Sequence, residues 1–234
     1  MITLYFAEIK ELLSFEWYLS FINIISDERK QKIIKQKAKT DKLLLLYPEL
    51  LILFEAQKKG IHYNASLDFG RYDYGKPYIK GHPEFQFNIS HTNNAIAVAF
   101  SEYQIGVDVE KIRTEHNEWL KNNLDASNRI FSKDEVMYIL AKKNKQALRF
   151  AEVWTGKEAY LKCKGTGITM PLSHVNIFES SIANMEKSFL AGDYVITVCS
   201  EKTEEAIQLI QLSEADIVHM VLNMKADKMK RGKL

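Results

Sequence analysis

Residues Gly106-Val107-Asp108-Val109-Glu110 read as a β-strand. Side chains alternate across a strand, so Val107 and Val109 share one face and call for a core. Asp108 and Glu110 share the other face, with Cα atoms about 7 Å apart from the strand rise. Two carboxylates that close repel unless a cation or a proton sits between them. A hard divalent cation takes oxygen ligands in such an arrangement. A half-exposed strand with two acids facing water has the same pattern, so the rest of the chain must decide.

Working outward, residues 95–100 form a second short apolar strand, and a turn near 102–104 joins it to the first. The two are expected to pair as a hairpin. Phe85, Phe87 and Ile89 alternate, which predicts a strand over 84–89 that ends in the polar turn Ser90-His91-Thr92-Asn93-Asn94. The hairpin would bring Ser90 and His91 within reach of the carboxylates. Before this, Tyr74-Gly75-Lys76-Pro77-Tyr78 is a turn followed by extended chain, with Gly75 allowing close backbone approach.

The N-terminal part supplies helices. Residues 1–8 read as a first strand and 12–25 as an apolar helix. Ser26 or Asp27 caps a basic helix carrying Arg29, Lys30, Lys32, Lys35, Lys37 and Lys39. That run is either a solvated face or an anion-binding wall. Residues 41–59 should be a buried helix, kinked or split by Pro48 and stopped at Gly60.

Beyond the acidic strand, residues 111–128 read as a loop with one helix. Ser132-Lys133-Asp134-Glu135 is a capping box. A long helix follows over 146–164, with Phe150, Val153, Trp154 and Leu161 as its buried stripe, and Gly165-Thr166-Gly167 ends it. Glu158 and Lys162 lie four apart and share a face. Alone they would be an ordinary surface ion pair. Lys157 falls within the stripe, where a lysine must snorkel or meet an anion. The last third is read as strands at 175–178, 187–190, 194–199 and 206–212, then a helix over 213–223. Each half ends in an expected hairpin, 94–111 and 193–212. This suits a duplicated fold with one active site at the seam.

The bulk numbers set limits. Hydrophobic residues make up 46% of the 234 and charged residues 26%, so a packed core is expected. A net charge of +2 demands no nucleic-acid partner. Cys163 and Cys199 show neither ligand spacing nor a disulfide framework, which suits a reducing, cytoplasmic setting. Glu8, Lys10, Glu11 and Glu16 interrupt the N-terminal apolar run, so neither a signal peptide nor a membrane span is expected.

The order of motifs then matters. Lys76-Pro77, Asn88-Ile89-Ser90-His91, Gly106-x-Asp108-x-Glu110, Trp154-x-x-Lys157-Glu158-Ala159-x-x-Lys162 and Gly165-x-Gly167 follow one another along the chain. The series resembles the 4′-phosphopantetheinyl transferases of the surfactin-synthetase-activating type, over about residues 26–172. The shorter, trimeric acyl-carrier-synthase branch is a worse fit to this length.

The resemblance implies an α+β fold of two similar α/β subdomains, about 1–105 and 106–234, related by a pseudo-twofold axis. The active site would lie in the cleft between them. It implies a monomer that moves the phosphopantetheine arm of coenzyme A to a serine of an apo acyl or peptidyl carrier protein, releasing adenosine 3′,5′-bisphosphate. Asp108, Glu110 and Glu158 match the family's metal positions, for Mg²⁺ or Mn²⁺. Lys162 matches the helix lysine that neutralises or protonates the leaving phosphate, and Glu158 is the candidate base for the carrier serine. Ser90 and His91 match phosphate contacts, Tyr74, Gly75 and Lys76 the adenine-side loop, and Arg29 and Lys32 basic contacts on an early helix. Lys157 is grouped with the coenzyme-binding residues.

One departure stands out: the family's arginine after the Asp41-like position is missing from Asp41-Lys42-Leu43-Leu44-Leu45. Lys42 would substitute without a bidentate fork, or the 3′-phosphate would fall to Arg29 and His91. Arg113, Trp119, Lys121 and Arg129 are placed to meet the carrier.

Two other classes use the same residues. A metal-dependent phosphohydrolase would use the carboxylates without a carrier protein. A non-catalytic module binding RNA or an acidic protein would use the basic run. A Ser-His hydrolase at Ser90-His91 lacks the Gly-x-Ser-x-Gly elbow.

Overall fold

A computed structural model describes residues 1–10, 20–62, 66–115 and 128–231, with side chains described through residue 224. It is a mixed α+β structure. The first sheet has the strand order β4–β5–β1–β9, formed by β1 (Ile2–Glu8), β4 (Gln86–Thr92), β5 (Ala95–Ser101) and β9 (Ile207–Leu212). The second has the order β6–β8–β7, from β6 (Ile105–Lys111), β7 (Glu186–Ala191) and β8 (Tyr194–Ser200). A small ladder joins β2 (Phe69–Arg71) to β3 (Pro77–Ile79).

The expected hairpins do not form. β5 lies between β4 and β1, which use both of its edges, so β6 has no edge left to take. β6 pairs instead with β8, Asp108 opposite Thr197 and Glu110 opposite Val195. In the C-terminal part β8 pairs with β6 and β7, while β9 leaves it to run parallel to β1, Ile2 opposite Ile207. The last strand thus joins the sheet of the first.

Alternation along the strands explains the layers. Tyr5, Ala7, Ile96, Val98 and Phe100 pack toward the helices α1 (Asp27–Lys35), α2 (Lys39–Lys58) and α6 (Glu214–Arg231). Ile2, Leu4 and Phe6, with Ala95, Ala97 and Ala99, face the second sheet and meet Val107, Val109, Ile196 and Val198. The valines of the opening stretch are therefore core. The other face of β6 and β8 carries the long helix α4 (Gln146–Lys164), with Ala159, Cys163 and Cys199 packed between.

Several local expectations hold. Ser26 caps α1 by accepting from the Arg29 amide. Both halves of the Ser132–Glu135 capping box are made at the start of α3 (Lys133–Leu140). Gly165 ends α4 in the left-handed region at φ 66°. α2 runs through Pro48 as one helix and is not split. Residues 20–25 form turns; the rest of the helix expected over 12–25 falls mainly outside the described residues, as does most of the 111–128 segment. Residues 175–178 are not a strand, because the Val175 carbonyl is drawn to a buried ammonium instead of a ladder. A short helix α5 (Ser180–Ala183) follows.

Candidate active site

The site begins with Gly106. A Cβ there would overlap the Ala159 carbonyl oxygen and the Cys163 amide nitrogen of α4. With no side chain at that point, the α4 backbone sits directly on β6. The helix residues one turn apart, Glu158 and Lys162, then fall over the face that carries Asp108 and Glu110.

β4 flanks this face. The polar turn expected at Ser90 is strand as far as Thr92, and only Asn93-Asn94 turn. Asn88, Ser90 and Thr92 share one side of β4, and all three address β6. Asn88 Oδ1 accepts from the Val107 amide at 2.9 Å and Ser90 Oγ from the Val109 amide at 3.4 Å. Thr92 Oγ1 donates to Glu110 at 3.1 Å. The side chains of one sheet thus satisfy the edge amides of the other. Thr92 was not singled out from sequence, although its period-2 relation to Ser90 was the available signal.

Asp108 is buried. Its Oδ1 accepts from Ser90 Oγ at 2.7 Å and from Lys162 Nζ at 2.5 Å, and Lys162 also donates to Ser90 Oγ at 3.1 Å. Glu158 is half-buried beside them. Burial raises its pKa, the Lys162 charge opposes that, and the Asp108 charge adds to it. Glu110 is also raised, first by burial; its bonds from Thr92 and the Lys111 amide and the charge of Arg113 pull the other way. Arg113 lies 3.9 Å from Glu110.

Glu158, Lys162 and Asn88 border a cleft of about 210 Å³, with Tyr74, Gly75 and Gly167 among its other walls. A larger cavity of about 610 Å³ lies between the ends of β1 and β9 and the β7–β8 turn. Its walls include Glu8, Asp193 and Glu214, which would repel a polyanion.

Arg29, Lys32, Lys42 and His91, expected at the phosphates, sit on α1, the first turn of α2 and β4. His91 is the exposed residue near the end of β4. Desolvation by the surrounding protein lowers its pKa, and the charges of Lys162 and Arg29 lower it further. Arg29 is held by Glu49 at 3.0 Å. Lys32 pairs with Glu28 at 2.6 Å on the exposed side of α1. Lys42 is half-buried in the first turn of α2, and its neighbour Asp41 is near enough to act on His91.

One expectation is corrected. Lys157 does not face the cleft: it is fully buried and pairs with Glu135 at 2.7 Å. It also donates to the carbonyls of Leu172 and Val175. It has met its anion inside the protein, as its place in the apolar stripe required. The Lys76 ammonium is likewise committed inward, to Gln104 Oε1 at 2.9 Å, the Ile105 carbonyl at 2.8 Å and the Cys163 carbonyl at 3.4 Å. Its stem and its neighbours Tyr74 and Gly75 form the cleft wall; its charge does not.

Another expectation is met only in part. Glu158 and Lys162 do lie with Asp108, on one side of the fold. Yet among the described residues no three His, Cys, Asp or Glu side chains gather closely enough to hold a metal ion. Asp108 spends its charge on Lys162, and Glu110 turns to Thr92 and the Lys111 amide. The donor chemistry, oxygen only, suits Mg²⁺ or Mn²⁺. The Asp108 charge adds to the raised pKa of both glutamates.

An acidic strand, a Glu-x-x-x-Lys helix lying on it through a glycine, and a Ser-bearing strand alongside set the frame for comparison with known proteins. Residues 104–213 match the 4′-phosphopantetheinyl transferase superfamily, and residues 14–103 match the family described as 4′-phosphopantetheinyl transferase, N-terminal. The 4′-phosphopantetheinyl transferase Sfp of Bacillus subtilis is 31% identical over 158 residues, 67% of each chain. The chain belongs to the 4′-phosphopantetheinyl transferase superfamily. Two further relatives extend the range. The 4′-phosphopantetheinyl transferase gsp of Aneurinibacillus migulanus is 29% identical over 151 residues, 64% of this chain and 60% of its own. The L-aminoadipate-semialdehyde dehydrogenase-phosphopantetheinyl transferase of Candida glabrata is 26% identical over 178 residues, 74% of this chain and 62% of its own. This phosphopantetheinyl transferase has, among its described residues, no helix long and apolar enough to cross a membrane.

Proposed function

We propose that this transferase moves the 4′-phosphopantetheine group of coenzyme A to a serine hydroxyl of an apo acyl or peptidyl carrier protein. The observation that carries the reading is the Ser90–Asp108–Lys162 cluster with Glu158 beside it on the cleft. In the step proposed, the serine oxygen forms a bond to the phosphorus that bears the pantetheine arm. The bond from that phosphorus to the oxygen of the departing nucleotide breaks, and adenosine 3′,5′-bisphosphate leaves. Glu158 takes the serine proton. Burial raises its pKa above the ordinary carboxylate range, the direction that makes a carboxylate a stronger base. Lys162 carries positive charge to the leaving phosphate and neutralises what develops there.

Asp108, Glu110 and Glu158 are the positions we propose for Mg²⁺, with Mn²⁺ as a substitute. The ion would supply charge neutralisation and orientation of the pyrophosphate. Arg29, Lys32, Lys42, Ser90 and His91 are proposed for the phosphates, and Tyr74 and Gly75 with the Lys76 stem for the nucleoside side. The same reading takes the chain as two α/β halves, 1–105 and 106–234, in pseudo-twofold relation, acting as a monomer in the cytoplasm.

The test is incubation with coenzyme A, Mg²⁺ and a panel of apo carriers, read by intact mass. A carrier that gains the phosphopantetheine mass supports the reading. Hydrolysis of coenzyme A with no carrier modified, across the panel, would replace it with the phosphohydrolase.

A further inference from the structure

Arg71 has no part in the scheme above, yet it joins α1 to the turn that walls the cleft. It closes β2, immediately before the turn that carries Tyr74 and Gly75. Its Nη1 donates to the Gly75 carbonyl at 2.7 Å, and its Nη2 donates to Glu28 on α1. Glu28 takes Lys32 as well, at 2.6 Å. One carboxylate therefore gathers a lysine of the basic helix and an arginine of the turn, and both cations lower its pKa, Lys32 first.

The turn itself is tight: the Gly75 amide donates to the Tyr72 carbonyl at 2.8 Å, and Gly75 has φ 84°. Its far end is fixed by the buried Lys76 ammonium, which reaches the start of β6 and the end of α4. So the turn is tied at two places. Lys76 ties it to the sheet and helix that carry Asp108 and Lys162. Arg71 ties it to α1, which carries Arg29 and Lys32. The distance between α1 and the turn depends on the second tie, and this tie is the half-exposed one, with Arg71 at 42% and Glu28 at 48% side-chain exposure.

We propose that Arg71, held by Glu28, is a positioning residue that sets how far α1, with its proposed phosphate contacts, stands from the turn that walls the coenzyme cleft. The guanidinium is suited to this because its planar fork serves the carbonyl and the carboxylate at once; an ammonium is a point charge without that fork. The inference rests on the reading of this cleft as the coenzyme A site. In that reading Gly75 serves the nucleoside side of the coenzyme, and Arg71 acts through the Gly75 carbonyl and Glu28. Its loss should therefore change coenzyme binding and leave the chemical step alone.

The variants are Arg71→Ala, Arg71→Lys, Glu28→Gln and the double Arg71→Ala/Glu28→Gln. They are assayed with coenzyme A varied at saturating carrier, and coenzyme A binding is measured separately by calorimetry. Arg71→Ala is expected to raise KM and Kd for coenzyme A by about five- to tenfold with kcat unchanged, in the range of a lost charge-assisted contact at a partly exposed site. Arg71→Lys should recover part of this. The double variant should be no worse than Arg71→Ala alone, because both changes cut one tie. Thermal melting serves as a control, since a general loss of fold would lower kcat and Tm together. If the wild type modifies carriers and the single variants keep KM and Kd within twofold, the inference is wrong while the functional reading stands. If the wild type modifies no carrier, the functional reading fails first.

Discussion

Lys162 Nζ lies 2.5 Å from Asp108 Oδ1 and 3.1 Å from Ser90 Oγ, so a helix lysine, a β6 acid and a β4 hydroxyl meet at one point. Three elements from two sheets and a helix converge there, which makes the contact sensitive to both chemistry and packing. Lys162→Met should lower kcat for carrier modification by about two orders of magnitude, the usual scale for a lost group that stabilises developing charge. Lys162→Arg should keep part of the activity, since the positive charge remains. Single-turnover kinetics with the modified carrier as readout separates this from loss of coenzyme binding.

Gly106 is predicted to tolerate no side chain. The Gly106→Ala methyl would overlap backbone atoms of α4, and neither a helix nor a strand backbone can yield locally. The expected cost is about 3 kcal/mol of unfolding free energy, at the upper end of overpacking penalties. Urea unfolding measures it. A shift below about 1 kcal/mol would mean that α4 is not seated as described.

The Lys157–Glu135 pair should behave as a buried ion pair. Glu135 serves three donors, Ser132 N at 2.7 Å, Ile177 N at 3.0 Å and Lys157 Nζ at 2.7 Å. Lys157→Met leaves its carboxylate buried and unmatched, and breaking such a pair costs about 3–5 kcal/mol. The double variant Lys157→Met/Glu135→Gln should be closer to wild type than the single one, because no stranded charge remains. Thermal or urea unfolding of both proteins tests this. Coenzyme A affinity should be unaffected in whatever fraction remains folded, since Lys157 does not face the cleft.

Glu186 gives a pH signature. Burial lifts its pKa to about 8, the Glu135 charge adds to the rise, Lys157 opposes it, and Cys163 adds slightly. One of its oxygens, Oε1, is buried without a hydrogen-bond partner. A carboxyl with a raised folded pKa is protonated in the native state and ionised in the unfolded chain over the window from the ordinary carboxylate range up to about 8. The native state then binds the extra proton, so stability falls as pH rises through that window. The slope from this one group is limited to about 1.4 kcal/mol per pH unit. Glu186→Gln should remove that slope, and unfolding midpoints measured across roughly pH 6 to 8 would report it. Equal pH dependence in variant and wild type would place the linkage elsewhere.

Much of this architecture was legible in the chain. The alternation Val107/Val109 against Asp108/Glu110 gave the two faces of β6, and the Ser26, Ser132 and Gly165 signals gave helix ends where they occur. These are local rules, set by side-chain period and capping chemistry. Strand partners were not legible. β5 and β6 are neighbours in sequence with a short link, yet their edges go to β1 and β8. Nothing within a few residues records whether an edge is already occupied. Likewise, the pattern placed Lys157 in an apolar stripe but could not say which anion it meets; Glu135 lies in another helix. The inward turn of the Lys76 ammonium depends on carbonyls that a distant β6 and α4 present, so sequence alone did not say where its charge goes.

The parallel pairing of β9 with β1 sets Ile2 against Ile207 and Ala7 against Leu212. Contacts of such long sequence separation close late in folding. Until β9 has left the ribosome, one edge of β1 stays open, and an open edge with alternating apolar side chains is a template for intermolecular pairing. A nascent protein that has made β1 but not yet β9 therefore carries an aggregation hazard along that edge, which the much later β9 relieves.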